Sequence, residues 1–274
     1  MKRKLLIGLI VLLAALGLYF GWRYYQDAYL PDRALSEALE AQNALFRDIK
    51  PETALFPSGS EPIASGDPTG TEPSDAPEET GEAAASDPLA ALKALNGETV
   101  GWLTVEGTAI DNPIVQAEDN SYYLKRGFDR KENNGLGCPF LDCRCKDGFR
   151  GFNAVVYGHD IPGKREMFFD VANYKDPAYL RAHPTGVLLD QDGVHAVRFF
   201  AYLTVPSDSE IYRVGLETEE DRAAYLDRLF AKAAYVQGQT AEALKQIEDL
   251  HLLLLSTCTY EYSQARGVLV GVIQ

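Results

Sequence analysis

Two short apolar runs close to the C-terminus constrain the fold of this chain more than any other feature. From His251 to Val272 the sequence reads HLLLLSTCTYEYSQARGVLVGV. Runs of four to eight apolar residues bounded by small polar residues and glycine predict buried strands, so Leu252 to Thr257 is one and Gly267 to Ile273 is another. The connection between them holds Cys258 and Arg266, and a hairpin-like arrangement brings that thiol and that guanidinium together. About a hundred residues upstream, Asn153 to Tyr157 predicts a third buried strand, and Gly158-His159 follows it directly. A thiol, an imidazole and a guanidinium at strand ends are the parts of a cysteine acyl-transfer site.

The rest of the C-terminal region supplies the neighbours such strands need. Further short strands are expected at Trp102–Val105, Ile110–Val115, Leu136–Leu141, Gly186–Leu189 and Val194–Val205, separated by Gly, Asn, Asp and Pro. Eight short strands with these turn signals predict a mostly β fold with α elements, in which an eight-stranded barrel closes on itself and leaves no exposed edge. Two helical patterns interrupt the strands. Phe168 to Arg181 holds one or two short helices. Thr218 to Tyr235 is a longer helix between the sixth and seventh strands, with Thr218 as its N-cap and Glu219, Glu220 and Asp221 in its first turn. Asp87-Pro88 opens the domain as a helix start.

The N-terminal third reads differently. Residues 1–4 carry three basic side chains, and residues 5–22 are uncharged and largely apolar. Eighteen residues of helix advance about 27 Å, close to the hydrocarbon thickness of a bilayer, so the expectation is an uncleaved single-pass anchor rather than a signal peptide. Charge bias then places residues 1–4 in the cytoplasm and everything after Arg23 outside the cell membrane. Residues 23–55 contain an amphipathic pattern from Asp32 to Ile49 (Leu35, Ala38, Leu39, Leu45, Phe46, Ile49), a helix that either packs on the folded domain or stands as a stalk beside the membrane, with its distance from the domain favouring the stalk. Residues 56–88 are rich in Pro, Gly, Ser and acids and hold a single large aliphatic, Ile63, which predicts a disordered tether. Residues 89–274 form the folded domain.

The net charge of −14 is shared unevenly, with eight acidic and no basic residues between Phe56 and Pro88. No basic stripe is present to neutralise phosphates, which excludes nucleic acid as a partner. Cys138, Cys143 and Cys145 form a cluster apart from Cys258. Buried or half-buried thiols, a disulfide from Cys138, and a thiolate metal site are the alternatives for that cluster.

The segment NAVVYGH, then Met167-Phe168, then LSTC with an arginine eight residues on, resembles the sortases, the membrane-anchored cysteine transpeptidases of Gram-positive bacteria, and class B most closely. Asn96-Gly97-Glu98-Thr99-Val100-Gly101-Trp102-Leu103 is similar to the family's entry pattern, with Glu98 in the place of an aspartate. The resemblance spans roughly Leu92 to Ile273. It implies Cys258 as nucleophile, His159 as acid and base, and Arg266 as oxyanion or backbone donor. It also implies a peptide groove that includes Asn120, Leu124, Tyr157, Ser207, Ile211, Tyr212 and Ser256. Thr259 stands where some relatives carry an acid. The implied reaction cleaves a Pro-x-Thr-Gly or Pro-x-Thr-Asn sorting motif of a surface protein after Thr and passes the acyl group to a peptidoglycan or lipid-linked precursor amine, using no metal or organic cofactor. A pilin-polymerising sortase, a surface cysteine peptidase and a non-catalytic peptide-binding scaffold share the same residues as alternatives.

Overall fold

The computed structural model describes residues 2–51, 87–133, 135–161, 163–259 and 261–274. The tether expected over 56–88 falls almost wholly outside the described residues. Among the described residues, nine strands form one sheet: β1 (Thr99–Thr104), β2 (Asp111–Val115), β3 (Phe140–Leu141), β4 (Asn153–Tyr157), β5 (Thr185–Asp190), β6 (Gly193–Pro206), β7 (Tyr235–Val236), β8 (His251–Cys258) and β9 (Ala265–Ile273). Their order is β5-β1-β2-β3-β4-β8-β9-β6-β7, and β5 also pairs with β6. That last pairing closes eight strands into a barrel, with the two-residue β7 attached outside the ring. The expected fold class is therefore borne out.

The continuous apolar character of β8 follows from burial on both faces. Leu253 and Leu255 join Leu269 of β9, Val156 of β4 and Ile114 of β2 in one core. Leu252 and Leu254 turn the other way and meet Val268, Val270 and a helix, α5 (Glu219–Lys232), through Tyr225, Leu226 and Leu229. Thr218 caps α5 as expected, its hydroxyl accepting from the Asp221 amide at 3.1 Å. The third strand is the one most shortened relative to its sequence expectation. Gly135 and Gly137 adopt left-handed φ values of +81° and +67°, which breaks extended backbone before Phe140.

Two N-terminal expectations are corrected. Among the described residues, no helix is long and apolar enough to cross a membrane, so the anchor expected over 5–22 and the cell-membrane placement built on it are not borne out. Helix α1 (Lys2–Tyr24) includes that stretch. One π-type turn (Tyr25–Tyr29) then leads into α2 (Leu30–Ile49). The stalk reading of α2 also fails, because the helix lies on the barrel. Phe46, 4% exposed, packs edge-to-face on Trp102 and Phe128, with ring centroids 6.1 and 6.3 Å away. Asn43 donates to Glu166 at 3.0 Å, and Lys50 pairs with Asp111 at 2.7 Å. Trp102 is wholly buried in this contact, and without α2 an apolar face of the barrel would be open to water.

Candidate active site

Strand register brings the three reactive side chains together. β4 and β8 run parallel, one residue against one, up to Tyr157 opposite Ser256. Past that pair, the Gly158 amide donates to the Ser256 carbonyl at 3.1 Å and the Thr257 hydroxyl donates to the Gly158 carbonyl at 2.8 Å. Continuing the same register sets His159 beside Cys258. On the other side β9 runs antiparallel to β8 with Arg266 opposite Cys258. Cys258 is thus flanked by the imidazole and the guanidinium, and all three line one cleft of about 220 Å³.

Each partner is held by its own contacts. The Nε2–H of His159 donates to the Leu124 carbonyl at 2.9 Å, which fixes the proton on Nε2 and leaves Nδ1 for exchange with a neighbour. Gly158 is required where it stands, since a Cβ there would lie 2.5 Å from the Phe168 ring. Arg266 donates from Nη1 to the Ala265 carbonyl at 3.0 Å and is half-buried. Its guanidinium presents N–H groups and no acceptor, so it can act only as a donor.

The cleft walls are mostly aromatic. Tyr157 lies between Phe140 and Tyr212, with centroid distances of 5.3 and 5.9 Å. Burial, then the carboxylate of Asp142, push the Tyr157 phenol well above its usual range. Tyr212 shares a 2.8 Å hydrogen bond with Ser256, and burial pushes its phenol up to about 12. Both rings stay neutral at physiological pH. Asn120 accepts from the Cys143 amide at 2.8 Å, and Ser207 donates to Gln264 at 3.0 Å, tying its loop to the β8–β9 connection.

Asn120, Leu124, Tyr157, Ser207, Tyr212 and Ser256 therefore all line the cleft, with Leu124 at its exposed edge. Ile211 does not. It is fully buried among Tyr225, Leu226 and Leu250, and its carbonyl accepts from the Tyr225 hydroxyl at 2.8 Å. A single 3-10 turn, Glu210–Tyr212, aims Tyr212 at the cleft and turns Ile211 inward.

Sequence reading missed a buried polar support behind the wall. The Asp142 side chain is completely enclosed and takes two bonds from Arg144, at 2.9 and 2.6 Å, and one from Tyr157 at 2.9 Å. Arg144 also donates to the Tyr212 carbonyl at 2.9 Å. Burial alone would raise the Asp142 carboxyl, but Arg144, its backbone amide, Asn120 and Tyr157 together hold it below the usual carboxylate range. The pair lies inside the segment Asp142-Cys143-Arg144-Cys145, whose cysteines drew attention away from the charges. All four cysteines are free, so Cys138 forms no disulfide with Cys143 or Cys145. Cys138 lines the cleft floor with its thiol pushed far up by burial, and burial raises Cys145 to about 11. Among the described residues, no group of three His, Cys, Asp or Glu side chains is placed to hold a metal ion.

A thiol between an imidazole and a guanidinium, at the open end of a closed barrel and beside an aromatic peptide-sized cleft, defines a cysteine acyl-transfer enzyme. Comparison with known proteins narrows the class. No protein-family model matches the chain. Sortase B of Listeria monocytogenes is 32% identical over 187 residues, covering 68% of this chain and 73% of that protein. The crystal structure of Clostridium perfringens sortase B superposes with a TM-score of 0.60 at 25% identity, covering 67% of this chain and 97% of that one. A Staphylococcus aureus sortase B–substrate complex shares the fold, with a TM-score of 0.60 at 24% identity over 68% of this chain and 84% of that one. The chain belongs to the sortase family, class B, and is a cysteine transpeptidase.

Proposed function

We propose that Cys258 attacks the Thr carbonyl of a Pro-x-Thr-Gly or Pro-x-Thr-Asn sorting motif and transfers the acyl group to a peptidoglycan-type amine. The observation that carries this reading is the register that sets His159 and Arg266 on either side of Cys258. His159 takes the proton of the Cys258 thiol on Nδ1, the thiolate adds to the carbonyl carbon, and the oxyanion that forms meets the N–H groups of Arg266. Collapse breaks the C–N bond, the leaving amine takes its proton from His159, and a thioester remains on Cys258. An incoming amine then adds to the thioester, loses its proton to His159 and releases the thiolate with a new amide. Oxyanion donors of this kind contribute about 3 kcal/mol to such barriers. The peptide lies along Tyr157 and Tyr212, with Asn120, Leu124, Ser207 and Ser256 around it. Sortase B of Staphylococcus aureus has been solved as a substrate complex, which supports the reading of this chain as one that binds a substrate. The catalytic unit is residues 89–274, with α2 seated on it.

The test mixes the full chain with a panel of such peptides, with and without an amine acceptor, and reads the products by intact mass. A thioester adduct absent in Cys258→Ala, together with an amide that requires the amine, is expected. Hydrolysed peptide alone in the presence of every amine tested would replace the transfer reading with a peptidase. No adduct despite an alkylatable Cys258 would leave a peptide-binding scaffold.

A further inference from the structure

Helix α2 carries one buried polar side chain on its docking face. Gln42 is 7% exposed, lies on the same face as Leu39 and Phe46, and its Nε2 has no partner. Its Oε1 accepts from Asn133 Nδ2 at 2.9 Å. Leaving a buried N–H unsatisfied costs stability, and that one bond is what the side chain makes in return.

Asn133 is the centre of the loop between Leu124 and Cys138. Its side chain clamps both backbone groups of Gly137, accepting from the amide at 2.9 Å and donating to the carbonyl at 3.0 Å. Its own amide donates to the Lys125 carbonyl at 3.2 Å, and its carbonyl accepts from Leu136 at 3.2 Å. The two ends of that loop are the two backbone surfaces against His159. Leu124 supplies the carbonyl that holds Nε2–H. Gly137, at φ +67°, comes so close that an added Cβ would sit 3.0 Å from His159 Cδ2 and 2.6 Å from the Tyr123 carbonyl. Gly127 fits beneath the Gln42–Asn133 pair, where a Cβ would lie 3.0 Å from Asn133 Nδ2 and 3.5 Å from Gln42 Oε1.

We propose that Asn133 is a positioning residue for His159 and that Gln42 of α2 holds Asn133 in place, so that seating α2 on the barrel sets the imidazole. The inference rests on the reading of His159 as acid and base. A ring whose tautomer and orientation depend on one carbonyl loses rate quickly when that carbonyl moves, because an error of about 1 Å in such a group costs up to about a hundredfold.

The experiment uses the full chain and the peptide transfer assay, with ring ¹⁵N spectra of the histidines as a second readout. The His159 resonances are identified by their loss in His159→Ala. Asn133→Ala is expected to lower kcat about thirtyfold with KM changed less than about threefold, and to mix the His159 tautomers that are pure Nε2–H in the parent. Gln42→Leu, which removes the bond and the orphan N–H together, is expected to lower kcat about fivefold and to have no further effect in the Asn133→Ala background. Should Asn133→Ala fail to fold, Gln42→Leu alone carries the test through kcat and the tautomer. Unchanged kcat and an unchanged His159 spectrum in folded Gln42→Leu, or strictly additive effects in the double variant, overturn the proposal. An active His159→Ala enzyme would instead overturn the reading of the site, and that result is independent of Asn133.

Discussion

At the end of β4 one methyl group separates a placed imidazole from a displaced one. Gly158 faces Phe168, and a Cβ built on it meets three ring carbons between 2.5 and 2.9 Å away. The ring is buried and cannot swing aside, so Gly158→Ala must move either Phe168 or the backbone that leads into His159. The expected result is a loss of about 2 kcal/mol in chemical denaturation together with a drop in kcat that exceeds any change in KM. A variant with normal kcat would show that the backbone at 158 does not position the ring. The thiols give a second expectation. Cys138 and Cys145 are buried with raised pKa values, while Cys143 and Cys258 are half-buried. Iodoacetamide should add to two of the four thiols in the native protein and to all four after unfolding, counted by intact mass. Labelling of Cys138 without unfolding would mean that the cleft floor opens.

The elements differ in how plainly the sequence announces them. β4 and β8 were readable to within a residue, because their apolar runs have no polar interruption and end in chemically distinct residues. β3 was not, since two left-handed glycines curl the approach to Phe140 in a way that apolar pattern alone does not reveal. Ile211 and Tyr212 are neighbours in a single 3-10 turn, and sequence cannot phase so short an element, so one faces the cleft and the other the core. Cys258, His159 and Arg266 were legible because strand ends carry them. The support from Asp142 and Arg144 was not, because its bonds run from one short segment to Tyr157 on β4 and to the backbone of Tyr212, far away in sequence. Docking of α2 could not be decided against a stalk for a similar reason: its contacts reach far along the chain, across more than a hundred residues from Asn43 to Glu166. That contact has a measurable weight. Phe46→Ala removes a ring packed against Trp102 and Phe128 and should cost about 3 kcal/mol, with Trp102 fluorescence shifting toward that of a hydrated indole. An unshifted spectrum and unchanged stability would mean that α2 does not cover Trp102 in solution.

The molecule as a whole carries a net charge of −14, and its response to acid is set by where its carboxylates lie. Asp142 is enclosed, and burial opposes its charge, but Arg144 and its other donors hold its pKa below the ordinary value of 3.8. Asp87, through Lys93, and Glu261, through Thr259 and Lys175, are lowered as well. A carboxylate whose pKa is depressed on folding adds stability that is complete above its unfolded pKa and is lost as pH falls through its folded one. Asp160 works in the opposite sense, because burial raises it and acid relieves it. With Asp119, held down by the hydroxyl and amide of Ser121, four lowered groups stand against one raised group among the described residues and favour a protein that loses stability on acidification. The melting temperature should therefore be flat from neutral pH down to about 5 and fall below about 4. Asp142 is the one of these groups that supports the cleft wall from behind, so Asp142→Asn should cost about 2 kcal/mol at neutral pH and flatten the acid limb, because the amide no longer has a proton to take up. The same substitution loosens Tyr157 and Tyr212 together, since Asp142 binds one directly and Arg144 binds the carbonyl of the other. Peptide KM should then rise while alkylation of Cys258 keeps its parent rate. An Asp142→Asn protein with the parent acid slope would place the acid sensitivity at the other carboxylates and leave the wall without an electrostatic anchor.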